Sequence, residues 1–344
     1  MTTDSKAGRR VRPWSIVALR ILGITLLGVL LVVMLSWVRM LWVEDRSPSQ
    51  AAPTQGRWVR AHDVDLYVQE FGDPAAPLLI LTHGTGAWSG TWDQNVQAMA
   101  KAGYRVIAVD LPPFGFSTRP AMRDYSRSGQ ARRIIGLIEA LKRGPVTLLG
   151  HSYGGGPAAE AAMMRPDLVG HLILVDAAIG LRESTEAMER GGAVAGLIGI
   201  RPLRTALIAT VGTQPLFSEF WLRKFVARKE VVTSSRTAIY RKPFVLDGFT
   251  AGLGDWAVEF AGESGASLSE HPEGFRKLGM PVTLLWGAED TITPLSQAQM
   301  LGHLLQHPKL VILPGVGHIP QIEDVTLFNE RIAEVLKHGQ SARR

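Results

Sequence analysis

The chain has 344 residues, of which 46% are hydrophobic and 20% are charged, and this is the composition of a folded protein. It contains no cysteine, which excludes disulfide bonds, thiolate metal sites and a cysteine nucleophile. The net charge of +6 is uneven, because seven basic and three acidic residues precede Ser47. The excess of positive charge lies in the N-terminal segment, where basic residues commonly flank a membrane-spanning helix. It therefore does not indicate nucleic-acid binding.

Residues 21–38 form a run of eighteen residues without a charge, long enough to cross the hydrocarbon core of a bilayer as a helix. Tryptophans lie near both ends, as is usual at the two membrane interfaces. A cleaved signal peptide or a buried soluble helix are the alternatives. The run is longer than a typical signal peptide core, and bulky residues follow it, so we predict that residues 21–38 contact the lipid bilayer as an anchor.

Five basic residues precede the run, at positions 6, 9, 10 and 12 and, directly at its start, at position 20. They favour a cytoplasmic N-terminus, although Arg39 and Arg46 weaken the asymmetry. We therefore expect a single-pass protein of the cell inner membrane, with its globular part on the non-cytoplasmic side. Residues 47–56 are rich in Pro, Ser, Ala and Gln without an apolar period, and this composition predicts a linker.

After the linker, alternating residues at 57–60 and 65–71 predict two antiparallel strands near a sheet edge. Six continuous apolar runs then predict strands buried on both faces: 77–84, 104–110, 145–152, 171–178, 280–287 and 309–315. Helical stretches lie between most of them or follow the last: 91–102, 126–141, 155–165, 294–305 and 322–336. This alternation predicts an α/β fold with a mostly parallel eight-stranded sheet and helices on both faces.

Residues 179–278 interrupt the alternation with helix-compatible sequence, and we predict a helical cap over the strand ends. Seven basic residues and one acidic residue lie between 223 and 242, which indicates a solvated helix face, contact with an anionic bilayer or an acidic substrate. The predicted parts are the basic segment and anchor (1–46), the linker (47–56), the α/β core (57–178 and 279–338), the cap (179–278) and a tail (339–344).

Residues 150–154, Gly-His-Ser-Tyr-Gly, follow one buried strand and begin a helix. This is the context of a nucleophile elbow, in which flanking glycines allow a sharp turn, and it predicts Ser152 as the nucleophile. His83-Gly-Thr-Gly86 ends an earlier strand. A loop there can direct an N–H at a developing oxyanion, so we assign the oxyanion hole to Thr85, or alternatively Gly86, together with Tyr153.

Asp290 follows a buried strand and is predicted to orient the imidazole, with Glu289 and Asp176 as alternatives. His318, in a glycine-rich loop after the last strand, is predicted to be the base. The order Ser, Asp, His along the chain is that of the α/β-hydrolases.

His151 is expected to be structural. Trp88 and Trp92 follow the oxyanion loop and either line an acyl pocket or pack in the core.

The segments HGTGAWSGTW, VDLPPFGFST, GHSYGG, WGAEDTITP and GVGHIPQIE resemble the motif series of the α/β-hydrolase superfamily, in the capped branch that includes meta-cleavage-product hydrolases and many esterases. The resemblance covers residues 57–338 and implies a Ser–His–Asp triad, an oxyanion hole and a cap. Epoxide hydrolases and haloalkane dehalogenases carry Asp where this chain has Ser152, which argues against an alkyl-enzyme route. The anchor is not part of the family pattern.

From these residues we expect a serine hydrolase that cleaves a small-molecule carboxylic ester through an acyl-enzyme, without a metal or an organic cofactor. The resemblance also allows hydrolysis of a carbon–carbon bond in a vinylogous diketone. A third hypothesis is an idle hydrolase fold that acts as a membrane-tethered binding module. The sequence does not predict the oligomeric state.

Overall fold

The computed structural model describes residues 13–181, 199–262 and 266–341. Its centre is an eight-stranded sheet, which confirms the predicted fold class. Numbered along the chain, the strands are β1 (Gly56–Ala61), β2 (Val64–Phe71), β3 (Leu78–Thr82), β4 (Arg105–Val109), β5 (Val146–His151), β6 (Val169–Val175), β7 (Val282–Gly287) and β8 (Pro308–Leu313).

In space the strands follow the order β1-β2-β4-β3-β5-β6-β7-β8. The β1–β2 and β2–β4 pairs are antiparallel, and all later pairs are parallel. Because parallel strands end at the same edge, the loops after β3, β5, β6, β7 and β8 meet there. This edge is where the predicted catalytic loops converge.

Helices cover both faces of the sheet. In chain order the helices are α1 (Pro13–Val43), α2 (Pro48–Ala51), α3 (Val96–Lys101), α4 (Arg127–Ala140), α5 (Gly155–Met164), α6 (Arg201–Leu207), α7 (Ser218–Phe225), α8 (Ser234–Arg241), α9 (Phe249–Ala261), α10 (Pro272–Arg276), α11 (Leu295–Leu304), α12 (Pro320–Glu323) and α13 (Val325–Ser341). Single helical turns connect several of them, including Ser89–Trp92, Ser152–Gly154 and the π-helical turn Ile208–Gly212.

Two hydrophobic cores result from the alternation of side chains along each buried strand. Ile80 of β3 packs with residues of α4 and α5, whereas its neighbours Leu79 and Leu81 pack with α3 and α13. All three side chains are fully buried. The continuous apolar runs of β3 to β7 therefore correspond to strands covered on both faces. The run 309–315 does not, because β8 is the edge strand and Leu310 and Ile312 are exposed, so the expectation of burial on both faces is wrong there.

The regular elements that the structure describes between β6 and β7 are helices and helical turns, joined by irregular segments. Residues 182–198, which include the start of the apolar stretch 193–211, lie outside the described residues. Helices α7 to α9 and the π-helical turn Ile208–Gly212 contribute side chains to a cavity above the strand ends. In contrast, the end of the predicted insertion packs on the core, since Ser269 donates its N–H to Glu160 of α5 at 2.7 Å.

Helix α1 contains a segment, Val17–Val43, that is long and apolar enough to cross a membrane. The segment predicted to be a linker, residues 47–56, contains α2 and packs on the hydrolase core. Tyr67 donates its hydroxyl to the Pro53 carbonyl at 2.6 Å. Arg46 also pairs with the cap, because its N–H reaches the Val245 carbonyl at 3.1 Å. The chain therefore passes from α1 to the sheet in contact with the folded domain throughout.

Candidate active site

Ser152 lies at the sharp turn between β5 and α5. Its φ of 50° is in the left-handed region, which a residue with a side chain adopts only at a cost. A Cβ at Gly150 would lie 2.7 Å from the Gly154 carbonyl oxygen, and one at Gly154 would lie 2.6 Å from the His83 carbonyl oxygen. The two flanking positions therefore accept only glycine, as the elbow motif indicates.

Two hydrogen bonds join Ser152, His318 and Asp290. His318 Nε2 lies 2.8 Å from Ser152 Oγ, and His318 Nδ1 lies 2.8 Å from Asp290 Oδ2. All three side chains are buried. Since the carboxylate can only accept, Nδ1 carries the proton and Nε2 is left to accept from the serine hydroxyl. The three loops that the sequence placed at one sheet edge thus meet in the geometry of a catalytic triad.

The Asp290 carboxylate has a second set of donors on its own loop. The N–H groups of Ile292 and Thr293 reach Oδ1 at 2.8 and 3.0 Å, and the Thr293 hydroxyl donates to Oδ2 at 2.7 Å. Burial acts to raise the pKa of Asp290, but the hydrogen bonds from His318 and Thr293 and the nearby imidazole outweigh it and leave the pKa below its usual value. Asp290 is therefore held as a carboxylate.

The alternative acids do not hold the imidazole. Glu289 is exposed, whereas Asp176 is fully buried beside Asp290 and accepts the Gly287 N–H at 2.8 Å. Burial, and then the charge of Asp290, raises the pKa of Asp176 well above its usual value. Of these two adjacent buried carboxyl groups, Asp290 therefore carries the negative charge more readily than Asp176.

The loop after β3 faces the nucleophile. Gly84 is so close that a Cβ there would lie 2.9 Å from Ser152 Cβ. His83 holds this loop: its Nε2 accepts the Leu111 N–H at 3.0 Å, so its Nδ1 donates to the Gly84 carbonyl at 2.9 Å. Burial lowers the pKa of His83 to about 4, so the ring is neutral near pH 7.

Thr85 lies in the wall of the cavity beside Ser152. Tyr153 directly follows the nucleophile, in the helical turn Ser152–Gly154. The two residues assigned to the oxyanion hole therefore come from the two loops that border Ser152. The phenol ring of Tyr153 packs on Trp256 and Phe114.

A cavity of about 430 Å³ contains Ser152 and His318 in its wall. The cap supplies most of the remaining wall, largely as apolar or aromatic side chains. These include Ile208, Trp221, Leu222, Phe225, Phe244 and Trp256. Arg241 is the cation among the described lining residues. Such a cavity suits a substrate with a sizeable apolar part.

Neither Trp88 nor Trp92 belongs to the described wall of this cavity. Trp88 donates its Nε1–H to the Ile239 carbonyl at 2.8 Å and packs on Phe116. Trp92 is fully buried against Phe328 in the core below the loop. The expectation that they line an acyl pocket gives way to its alternative, packing, because both side chains point from the loop into the core.

Two contributors were missed by sequence reasoning. Thr293, three residues after Asp290, lies against both the carboxylate and the imidazole, with its hydroxyl 3.2 Å from His318 Nδ1. Gln321 donates to His151 Nδ1 at 3.2 Å, and so His151 Nε2 carries the proton. An Asp-x-x-Thr pattern on a loop could have indicated the first, since it is a common local capping arrangement. No sequence signal indicates the second.

With the geometry in place, the comparisons with known proteins agree on the class. The sequence signature of the "Alpha/beta hydrolase family" matches residues 79–331. The chain therefore belongs to the α/β-hydrolase family, and its similarity to meta-cleavage-product hydrolases and esterases is confirmed.

A 2-hydroxymuconate semialdehyde hydrolase from Pseudomonas sp. (strain CF600) is 26% identical over 300 residues, covering 85% of this chain and 98% of the relative. The structure of the meta-cleavage product hydrolase from Pseudomonas fluorescens IP01 is similar with a TM-score of 0.68 at 25% identity, covering 82% of this chain and 98% of that one.

A further structure, of a membrane phospholipase A, is similar with a TM-score of 0.65 at 24% identity and covers 94% of this chain and 98% of that one. Residues 57–344 alone cannot supply so large a share of this chain. The similarity in fold therefore extends into the N-terminal segment.

Proposed function

We propose that this α/β-hydrolase is a membrane-anchored serine hydrolase that cleaves carboxylic esters through an acyl-enzyme on Ser152. The observation that carries the proposal is the pair of 2.8 Å hydrogen bonds from Ser152 through His318 to Asp290, at the wall of an apolar cavity. An idle fold would need none of the three side chains in this arrangement.

In the first half-reaction, Ser152 Oγ attacks the ester carbonyl carbon as its proton passes to His318 Nε2. Asp290 stabilises the imidazolium and keeps the ring oriented through Nδ1. The carbonyl oxygen becomes an oxyanion, and the backbone N–H groups of Thr85 and Tyr153 are assigned to bind it. Protonated His318 then gives its proton to the departing alkoxide, leaving the acyl group on Ser152.

In the second half-reaction, water takes the place of the alcohol. His318 removes a proton from the water molecule while the water oxygen attacks the acyl carbon. The same two N–H groups bind the second oxyanion. Collapse of this intermediate breaks the bond to Ser152 Oγ, which recovers the proton from His318. A carboxylic acid leaves, and the enzyme returns to its starting state.

A carbon–carbon bond hydrolase is the second candidate function. It is supported by the relatives, since a 2-hydroxymuconate semialdehyde hydrolase matches over most of its length. The largely apolar cavity wall favours an ester with an apolar acyl chain, because a dienoate substrate carries carboxylate charge that needs cationic partners.

We propose further that α1 anchors the protein in a membrane. Almost none of the apolar segment Val17–Val43 is buried by the rest of the chain, which is unfavourable in water and favourable in lipid. The basic residues before it support a cytoplasmic N-terminus, with the hydrolase domain on the other side of the inner membrane.

A fluorophosphonate probe tests the enzyme proposal on the full chain. We expect labelling of the wild type and of Ser128→Ala, which removes a serine hydroxyl from helix α4, and no labelling of Ser152→Ala. Absence of labelling in all three proteins would instead support the binding module.

A panel of p-nitrophenyl esters of graded acyl length separates the two candidate reactions. We expect turnover that rises with chain length, as a deep apolar wall predicts. An enzyme that cleaves a 2-hydroxy-6-oxo-dienoate and ignores every ester would replace the ester proposal with the carbon–carbon one.

The anchor is tested by membrane fractionation. The wild-type chain should remain in the pellet after alkaline carbonate extraction, and a C-terminal tag should be digested by protease added to spheroplasts. Recovery of a shortened, soluble chain would identify the segment as a cleaved signal peptide.

A further inference from the structure

One face of the cap carries large apolar side chains in the open. They lie on α6, α7 and the turns beside them: Ile200, Leu203, Leu207, Leu216, Phe217 and Phe220, each at least 41% exposed. We call this set the cap apolar face. Positions 200, 203 and 207 share one side of α6, and 217 and 220 share one side of α7. The hydrogen bond from Trp221 of α7 to the Val211 carbonyl joins α7 to the turn after α6, and large exposed apolar side chains gathered on adjoining elements mark an interaction site.

Helix α1 contacts the same part of the cap that carries this face. The last turns of α1 contact α6 and the π-helical turn Ile208–Gly212. Ser36 and Met40, four residues apart on one side of α1, are 4% and 7% exposed because of this contact. Arg39 on the same turns donates to the Thr213 carbonyl at 3.0 Å.

Ser36 belongs to the uncharged run of residues 21–38. If that run spans the hydrocarbon core, α6 and the neighbouring turn lie against it at the level where the core ends. The side chains that α6 exposes then lie at the same level as the lipid.

The charges at the edge of the face fit the surface of a bilayer. Lys224 lies over the Phe220 ring at 5.2 Å, and Arg223 is exposed one residue before it. Glu219 is the acidic residue on the same helix. Aromatic side chains bordered by cations are typical of segments that lie in the interface between headgroups and acyl chains.

The face also adjoins the active site. Trp221 stacks edge-on against Phe220, with 5.1 Å between ring centroids, and donates its Nε1–H to the Val211 carbonyl at 2.7 Å. It is 42% exposed and at the same time lines the cavity that contains Ser152. Trp221 is therefore shared by the face and by the cavity wall.

We propose that the cap apolar face docks on the bilayer that holds α1, and that the substrate is the acyl ester of a membrane lipid, which enters the cavity from that leaflet beside Trp221. This inference rests on the proposed membrane anchor and on the proposed esterase. It adds to them the surface of the cap that contacts the bilayer, the leaflet from which the substrate enters and the chemical class of the substrate.

The absence of cysteine from the chain makes a direct test simple. Single variants Leu203→Cys, Leu216→Cys, Leu27→Cys and Leu310→Cys of the full chain are labelled with bimane and reconstituted into phosphatidylcholine–phosphatidylglycerol vesicles that contain brominated lipid. Position 27 reports on the anchor, and position 310, on strand β8, is an exposed control at the start of an edge strand. We expect positions 27, 203 and 216 to lose about half of their fluorescence or more, and position 310 to lose little.

Each other outcome overturns a separate part of the proposal. Quenching at 27 without quenching at 203 and 216 would overturn docking of the cap and leave the anchor intact. Absence of quenching at 27 would overturn the anchor, and docking with it. Shielding of position 216 together with crosslinking between chains through that cysteine would show that a second copy covers the face.

The route of the substrate is tested with Leu203→Glu/Leu216→Glu, since neither side chain is among the described cavity-lining residues. We expect a roughly tenfold loss of activity on a long-chain ester embedded in vesicles, with less than about a twofold change on a water-soluble short ester. Leu310→Glu should leave both rates unchanged. Equal rates for the double variant and wild type on both substrates, or an equal loss on both, would overturn entry from the membrane.

Discussion

The imidazole of His151 donates from Nε2 to the carbonyl oxygen of His318 at 2.8 Å. The residue between Gly150 and Ser152 in the elbow thus holds the backbone of His318, the base of the proposed triad. Burial, followed by the nearby His318 ring, lowers the pKa of His151 to about 3, so the donor is a neutral ring. Gln321 fixes its tautomer from the other side.

Replacing His151 by leucine should slow catalysis without removing the triad. The His318 carbonyl would lose its buried donor, a loss of about 1–3 kcal/mol, so we expect kcat to fall about tenfold or more with a small change in KM. His151→Gln, whose amide can donate from nearly the same position, should recover most of the rate. Equal rates for the leucine and glutamine variants, measured by ester hydrolysis, would show that the hydrogen bond has no role in positioning.

The two buried aspartates should respond differently to the same substitution. Asp290→Asn loses the acceptor that orients the His318 tautomer, and we expect kcat to fall by about a thousandfold or more. Asp176→Asn replaces a carboxyl group whose raised pKa favours its neutral form, and Asp290 rather than Asp176 holds the imidazole, so the change should be less than about threefold. The exposed Glu289→Gln variant is the control for substitution on this loop.

These rates, measured with fluorophosphonate labelling and ester turnover, also decide between the acids that the sequence left open. A large loss in Asp176→Asn with a small loss in Asp290→Asn would reverse the assignment. A large loss in both would indicate that the two carboxyl groups share their proton in the active state.

Much of the fold could be predicted from the sequence, because strands that are buried on both faces appear in it as continuous apolar runs. The end of each strand, and with it the elbow around Ser152, followed from those runs. The direction in which each side chain points could not be predicted from those runs. Trp88 and Trp92 follow the oxyanion loop in the chain but point into the core, and only tertiary packing decides that.

Long-range contacts also changed local structure. The single helix predicted over 91–102 is divided in two, since Asn95 donates to the Gln321 carbonyl at 3.1 Å and to Asn329 at 2.9 Å. Both partners lie more than two hundred residues away. The segment 47–56 likewise has the composition of a linker, yet it packs on Tyr67. Composition describes local preference and does not report such partners.

His83 should make stability depend on pH in a defined window. Burial lowers its pKa from 6.5 to about 4, so below pH 6.5 the unfolded chain binds a proton that the folded chain does not. Stability from this group is therefore complete above pH 6.5 and is lost as the pH falls toward 4. His83→Gln removes this titration. The destabilisation it causes at pH 7.5 should shrink by about 2 kcal/mol at pH 5.

The comparison must be made between variant and wild type rather than on the wild type alone. Burial raises the pKa of Asp110 to about 7, so that group loses stability as the pH rises through the same window and opposes His83. The opposing contribution cancels when the two proteins are compared at each pH. Urea unfolding in detergent at pH 5 and 7.5 gives the free energy of unfolding of the wild type and of His83→Gln at each pH. A destabilisation that is equal at the two pH values would show that His83 titrates normally in the folded chain.

Glu44, the residue after helix α1, joins the end of that helix to the cap. Its carboxylate accepts the Thr250 N–H at 3.2 Å and also the Thr250 hydroxyl. Burial raises the pKa of Glu44 despite these donors. The Thr250 hydroxyl also lies 2.8 Å from that of Thr213, whose carbonyl accepts from Arg39. This network of hydrogen bonds fixes the cap to the end of α1 and to the first residue after it.

Glu44→Ala should therefore loosen the cap where it meets the anchor. Loss of a buried acceptor costs about 1–3 kcal/mol, and the melting temperature of the full chain in detergent should fall by roughly 2–6 °C. Thr250→Val should give a similar loss, and Thr250→Ser, which keeps the hydroxyl, should stay near wild type. Because the two side chains act through one contact, Glu44→Ala/Thr250→Val should melt only slightly below either single variant. If the two losses instead add in full, Glu44 and Thr250 stabilise the cap independently, and the hydrogen bonds between them are not what fixes its position on the anchor.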